Sequence, residues 1–163
     1  MDFNFKDKYG IDDLIKIMEI LRSENGCPWD REQDHKSIRQ NLIEETYEVI
    51  EAIDNDDTEL LKEELGDALL QVVFHSRIEE EKNSFDFSDV ADGICKKLII
   101  RHPHVFGNIT ADTPEEVLKN WDDIKMKTKS QTKASEAMDS VAKSLPALMR
   151  ADKIRSKAKK AGY

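Results

Sequence analysis

The chain has 163 residues, enough for about one domain with a core that needs no disulfide or metal staple. Its 34 acidic against 25 basic side chains give a net charge of -9, which argues against duplex nucleic acid and anionic membrane surfaces as partners and is compatible with divalent cations. With only 6 Gly and 4 Pro, 39% hydrophobic and 36% charged residues, the composition excludes a turn-rich sandwich or barrel and points to an all-α fold.

The four prolines, Pro28, Pro103, Pro114 and Pro146, punctuate apolar residues that recur at helical spacing. A first helix is predicted over 11–24, with Leu14, Ile17, Met18 and Leu21 on one face and Asn25-Gly26 as its C-cap. CPWDREQD reads as a loop. A second helix spans 37–54. The break at DNDD lets Asp57 or Thr58 cap a third helix that reaches about residue 81. Ser88 caps a fourth, which stops before Pro103. Thr113-Pro114-Glu115-Glu116 combines a capping hydroxyl, proline at the first helical position and acids in the first turn, so a fifth helix is predicted to about residue 129. KSQTKASEAMDS reads as a mobile linker, and the tail after Pro146 as a basic amphipathic helix ending at Gly162-Tyr163. No signal peptide and no transmembrane run is visible. Cys27 and Cys95 make no CxxC pair and read as reduced thiols of a cytosolic protein.

The second helix carries an apolar stripe at Ile38, Leu42, Val49, Ala52 and Ile53. Glu45 falls inside that stripe and Glu48 at its edge. The third helix has its stripe at Leu61, Leu65, Ala68, Leu69 and Val72, bordered by Glu64 and Asp67. Acids at this density produce about seven i,i+3 pairs by chance, most of them on solvated faces. Placement separates these two pairs from the rest. A carboxylate within a core stripe is costly unless it has a partner, and helices joined by a short break pack as antiparallel neighbours. Four hard oxygen ligands suit magnesium, with manganese as a substitute, and not zinc. Magnesium typically joins protein carboxylates to substrate phosphates. Lys97 and Arg101, four apart on the fourth helix with Lys96 alongside, could clamp a polyphosphate or simply form a solvated basic face. His102 and His104 flank Pro103 and read as a surface turn; no spacing rule supports a zinc site built from them with His75 and Cys95. Trp29 and Trp121 read as packing residues, with base stacking as the alternative.

EETYE at 44–48 followed by ELGD at 64–67 resembles the EExxE…ExxD signature of the MazG-type nucleoside triphosphate pyrophosphohydrolases. GCPWDREQDHKSI, GDALLQVVFHSRI, KLIIRHPHVFG and NWDDIKMKTK are similar to the same family, over about residues 11–129. The resemblance implies an all-α fold with a four-helix core and additional C-terminal helices, a homodimer or tetramer, and Mg2+-dependent hydrolysis of a nucleoside triphosphate to monophosphate and pyrophosphate in the cytoplasm. It implies Glu45, Glu48, Glu64 and Asp67 as metal ligands and Glu44 as an outer-sphere group or base. Lys97 and Arg101 match residues facing the phosphates, and Trp121 matches one near the nucleotide. The family's lysine four residues before the first acid of ExxD is Leu60 here, with Lys62 the nearest substitute. The expected division is a catalytic domain over 1–130, a linker over 131–144 and a C-terminal helix over 145–163, which resembles the lead into the second copy of tandem members. Such first copies also raise the alternative of a catalytically inactive dimerisation or regulatory domain.

Overall fold

The computed structural model describes residues 3–111, 113–117, 120, 121, 124 and 134–162. These are all-α: α1 (Ile11–Leu21), α2 (Pro28–Glu32), α3 (Arg39–Asp54), α4 (Thr58–Glu81), α5 (Phe87–Arg101), α6 (Pro103–Phe106), α7 (Ala134–Asp139) and α8 (Ala147–Lys160), with no strand among the described residues. None of these helices is long and apolar enough to cross a membrane. The chain forms two compact units, Met1–Gly93 and Ile94–Tyr163, and α5 runs from the first into the second.

Local chemistry sets the boundaries. α1 ends at Leu21, three residues earlier than the periodicity predicts. The Ser23 hydroxyl takes the Ile20 carbonyl at 2.8 Å and Cys27 N–H takes that of Leu21 at 2.7 Å, so the chain doubles back. Gly26 lies so close to the last turn that a Cβ would sit 2.2 Å from the Ile20 oxygen, and only glycine fits there. The segment expected as a loop contains α2, which Pro28 opens at a first helical position. Ser37 does not start α3. It is consumed in a turn in which Asp34 Oδ1 accepts the N–H groups of Lys36 and Ser37, both at 2.8 Å, and α3 begins at Arg39. Asp57 caps α4 through the Leu60 N–H at 3.0 Å, as predicted. α5 is capped by Asp86 and not by Ser88: Asp86 and Asp89 each accept the other's N–H, at 2.9 and 3.1 Å.

In the first unit, α3 and α4 lie side by side and α1 packs on α4. Met18, Ile38, Val73, Phe74 and Ile78 form the core, with Leu14, Ile15, Leu21, Leu70 and Phe87 against it. The second half of α4 is buried on several sides, through Gln71, Val73, Phe74, Ser76 and Ile78. Its first half is open. Of the predicted stripes Ile38 and Ala52 are buried, but Ile53, Leu65, Leu69 and Val72 are exposed, because α1 covers only the far half of the pair. Arg22, just past α1, fastens that far half. Its guanidinium makes two bonds to Glu81, at 2.8 and 2.9 Å, donates to the carbonyls of Asp30 and Gln33, and lies over the Phe74 ring.

In the second unit His102 precedes α6, so the predicted surface turn is a short proline-opened helix. Thr113 Oγ1 accepts the Glu116 N–H at 3.3 Å and residues 114–117, 120, 121 and 124 are helical; the predicted end of that helix near residue 129 lies outside the described residues. Residues 134–139 of the stretch read as a mobile linker are helical, as α7, and 129–133 lie outside the described residues. Lys157 on α8 donates to the Ala137 carbonyl at 2.6 Å and so ties α8 to α7. The tail ends as predicted, at Gly162 with φ +89°.

Arg22 is 8% exposed, and its loss leaves Glu81 without its main partner. Arg22→Ala is expected to cost about 3–5 kcal/mol in urea unfolding, and Arg22→Lys to recover only part of that, since an ammonium cannot reproduce the fork.

Candidate metal centre

Helical spacing puts Glu45 and Glu48 on the face of α3 that also presents Ile38 and Ala52, and therefore against α4. Glu64 and Asp67 occupy adjoining turns of α4. One carboxylate oxygen each from Glu45, Glu48 and Glu64 lie within 4.8 Å of one another. Desolvation first, and then repulsion from Asp67 and Glu48, raises the Glu45 carboxyl above its ordinary value. Glu64 is raised in the same way, by desolvation and then by Glu48 and Asp67. Asp67 is thus electrostatically part of the cluster. The donor set is all oxygen and all acidic, and a hard divalent cation is what such a set fits.

The Glu44 carboxylate is exposed and accepts from Gln40 Nε2 at 2.8 Å, one turn back on α3. The Lys62 ammonium is exposed and paired with Glu59 at 2.5 Å. Lys97, Arg101 and Trp121 belong to the second unit. There Lys97 is exposed on α5, and the buried Arg101 guanidinium lies 5.2 Å from the centre of the Trp121 ring, which also meets the His102 ring edge-on. Trp29, read as packing, is exposed on α2. Both cysteines are free thiols.

Two features escaped the sequence reading. Gln71, one turn beyond Asp67, is buried. One turn further, His75 stacks on His35 with their Nδ1 atoms 2.7 Å apart, and His35 Nε2 meets Glu79 Oε1 at 2.5 Å. A carboxylate can only accept, so the Glu79 contact needs a proton on His35 Nε2, and the contact between the Nδ1 atoms needs one ring to donate and the other to accept. Lys82 and then His35 hold Glu79 down to about 2, while desolvation and then His35 depress His75 below its ordinary 6.5. The spacing 64, 67, 71, 75 was the available signal: polar groups at helical intervals along an otherwise apolar face.

Residues 33–106 match the family described as the MazG nucleotide pyrophosphohydrolase domain. The chain is 46% identical over 154 residues to a nucleoside triphosphate pyrophosphohydrolase of Escherichia coli (strain K12), covering 94% of this chain and 59% of that protein. It is 47% identical over 152 residues to the nucleoside triphosphate pyrophosphohydrolase/pyrophosphatase MazG of Thermotoga maritima, covering 93% and 58%. It is also 49% identical over 139 residues to the uncharacterized protein YabN of Bacillus subtilis, covering 85% and 28%. The chain thus spans less than two thirds of each of these relatives. Among solved structures, it superposes on the mazG-related protein from Thermotoga maritima with a TM-score of 0.59 and 27% identity, over 71% of this chain and 98% of that one.

The depressed His75 contributes stability that is complete above pH 6.5 and is lost as pH falls through its folded value. Glu79 adds stability present above its ordinary 4.5 and lost towards about 2. Thermal midpoints in chelator are therefore expected to fall in two stages on acidification. His75→Tyr should remove the first stage only. A midpoint that stays flat from pH 7 to 5.5 in the wild type contradicts the assignment.

Proposed function

This chain belongs to the MazG nucleotide pyrophosphohydrolase family, and from that premise we propose that it hydrolyses nucleoside triphosphates to monophosphate and pyrophosphate, clearing unwanted nucleotides in the cytoplasm. The observation that carries the reading is the convergence of Glu45, Glu48 and Glu64, with Asp67 coupled to them. In this reading the four carboxylates hold Mg2+, with Mn2+ as a substitute. The bound cation supplies charge neutralisation to the triphosphate and polarises the phosphoryl group under attack.

The chain's own groups supply the rest. Lys97 and Arg101 receive phosphate charge, and Trp121, already stacked on Arg101, packs beside the nucleotide. Glu44 takes the proton from the attacking water, once released from Gln40. Water adds to the α-phosphorus, the bond from that phosphorus to the bridging oxygen of the β-phosphate breaks, and pyrophosphate leaves with the electron pair. Lys62 is the substitute for the lysine absent at Leu60. The catalytic domain is assigned to 1–130 and the linker to 131–144, with 145–163 as a C-terminal helix. A rival reading, a non-catalytic dimerisation or regulatory module, draws on Leu60 at the lysine position and on Lys62 being tied to Glu59.

A panel of nucleoside triphosphates with Mg2+ decides between the two. Pyrophosphate plus monophosphate is the expected product pair, and Glu48→Gln is expected to lower kcat/KM by about 10²-fold or more, roughly 2.7 kcal/mol of transition-state stabilisation. Orthophosphate plus diphosphate contradicts the reaction, and no turnover by a Mg2+-binding chain favours the regulatory module.

The oligomer is also part of this proposal. Ile43, Tyr47 and Ile50 form an exposed apolar row on α3, and Leu65, Leu69 and Val72 form another on α4. Contiguous apolar surface of this kind marks an association face, and a second copy of the chain is the occupant the family reading supplies. Light scattering is expected to give at least twice the 18.8 kDa of one chain, and the double substitution Ile50→Asp, Leu69→Asp to give a monomer. A wild-type mass of one chain overturns it.

A further inference from the structure

Gln71 is 7% exposed, and its Oε1 is buried with no hydrogen-bond partner among the described residues. An acceptor left in that state costs about 1–3 kcal/mol, and folded proteins rarely retain one with no use for it. Its position on α4 narrows what the missing donor is. Residues 64, 67 and 71 follow one another at intervals of three and four, so Gln71 shares a face with Glu64 and Asp67. Helical side chains lean towards the N-terminus of their helix, so the Gln71 carboxamide extends from its own turn towards the turn of Asp67. On the other side, His75 is engaged with His35.

The chemistry of the neighbours then selects the ligand. Ionised Glu45, Glu48, Glu64 and Asp67 are acceptors only, and Gln71 Oε1 is an acceptor too. None of these oxygens can satisfy another; the Gln71 NH2 group can donate to a carboxylate, but that leaves Oε1 still without a donor. A phosphate oxygen adds a further acceptor and a further negative charge. A hydrated divalent cation answers both needs at once: positive charge for the carboxylates and water O–H groups for the amide oxygen. Magnesium keeps several of its waters when protein carboxylates bind it.

We infer that Gln71 is a positioning residue of the cation site, its Oε1 accepting a hydrogen bond from a water in the hydration shell of the ion held by Glu45, Glu48, Glu64 and Asp67. The inference rests on the cation site proposed above and extends it one turn along α4 into the protein interior. Outer-sphere partners of this kind typically change metal affinity by about 10–100-fold when removed. Gln71→Met keeps the approximate length and volume of the side chain but offers no comparable acceptor. Gln71→Glu keeps an acceptor oxygen.

The test is a titration of the whole chain with Mn2+ alone, reading free Mn2+ by electron paramagnetic resonance, beside thermal melts in chelator. The wild type is expected to bind. Gln71→Met is expected to raise the Mn2+ dissociation constant about 10-fold without lowering the metal-free melting midpoint, because it removes an unsatisfied buried oxygen. Gln71→Glu is expected to bind at least as tightly as the wild type. Unchanged affinity in Gln71→Met, with the wild type binding, overturns the role of Gln71 and leaves the cation site standing. Absence of binding by the wild type overturns both. Should Gln71→Met fail to fold, a 10-fold loss in Gln71→Glu overturns the inference, since the acceptor is retained there.

Discussion

Carboxylates on facing turns of two helices push those helices apart, and everything else in the first unit bears on how that push is resisted. Glu45 and Glu48 on α3 meet Glu64 and Asp67 on α4, and desolvation first, then repulsion from the neighbouring carboxylates, raises Glu45 and Glu64 above their ordinary value. A carboxylate whose folded pKa lies above its unfolded value opposes folding at neutral pH, and the opposition fades as pH falls and the group protonates. The helix pair therefore gives up stability at one end for a cluster of like charge, which is the usual cost of a preorganised binding site.

The resistance is concentrated at the other end. Beyond Asp67 the α3–α4 pair closes over Ile38, Phe74 and Ile78, α1 lays Met18 against them, and Arg22 fastens Glu81 to the carbonyls of α2 and the loop after it. The signs are opposite at the two ends. At the far end the carboxylates have cationic partners: Arg22 lowers Glu81, and Lys82 with His35 lowers Glu79. At the near end Glu45, Glu48, Glu64 and Asp67 have no cationic partner among the described residues. A single helix of 24 residues, α4, joins the two environments.

The helices were legible in the sequence because their signals are local. Asp57 ahead of α4, Thr113 ahead of Pro114 and the apolar spacing of α1 each need only neighbouring residues to read. The site was half legible for the same reason. Glu45 stands out as a charge within an apolar stripe, and the i,i+3 spacing brings in Glu48, Glu64 and Asp67. What escaped depended on partners distant in sequence. Nothing near residue 35 announces that His35 stacks on His75 forty residues away, or that Arg22 takes Glu81 across fifty-nine. Gln71 looks like an ordinary surface amide until the fold buries it. The C-terminal end of α1 and the starts of α3 and α5 differ from the sequence expectation, the two starts because two capping groups compete within a few residues: Asp86 against Ser88, and the Asp34 turn against Ser37. Propensity alone does not rank such rivals; the geometry of the preceding loop does.

The exposed apolar rows acquire a meaning from this arrangement. Ile43, Tyr47 and Ile50 fall on the side of α3 away from Glu45 and Glu48, by the same periodicity that gathers the acids on the inner side. Covering those rows therefore adds packing to the weakly anchored half of the pair without touching the acidic face. A cation on the inner face, as proposed, would cancel the repulsion, and a second copy over the exposed rows would add packing to the same pair of helices. Were both to stabilise the α3–α4 pair, cation binding and association would be linked reciprocally: whatever tightens association on adding the ion would, by the same free energy, tighten the ion on association.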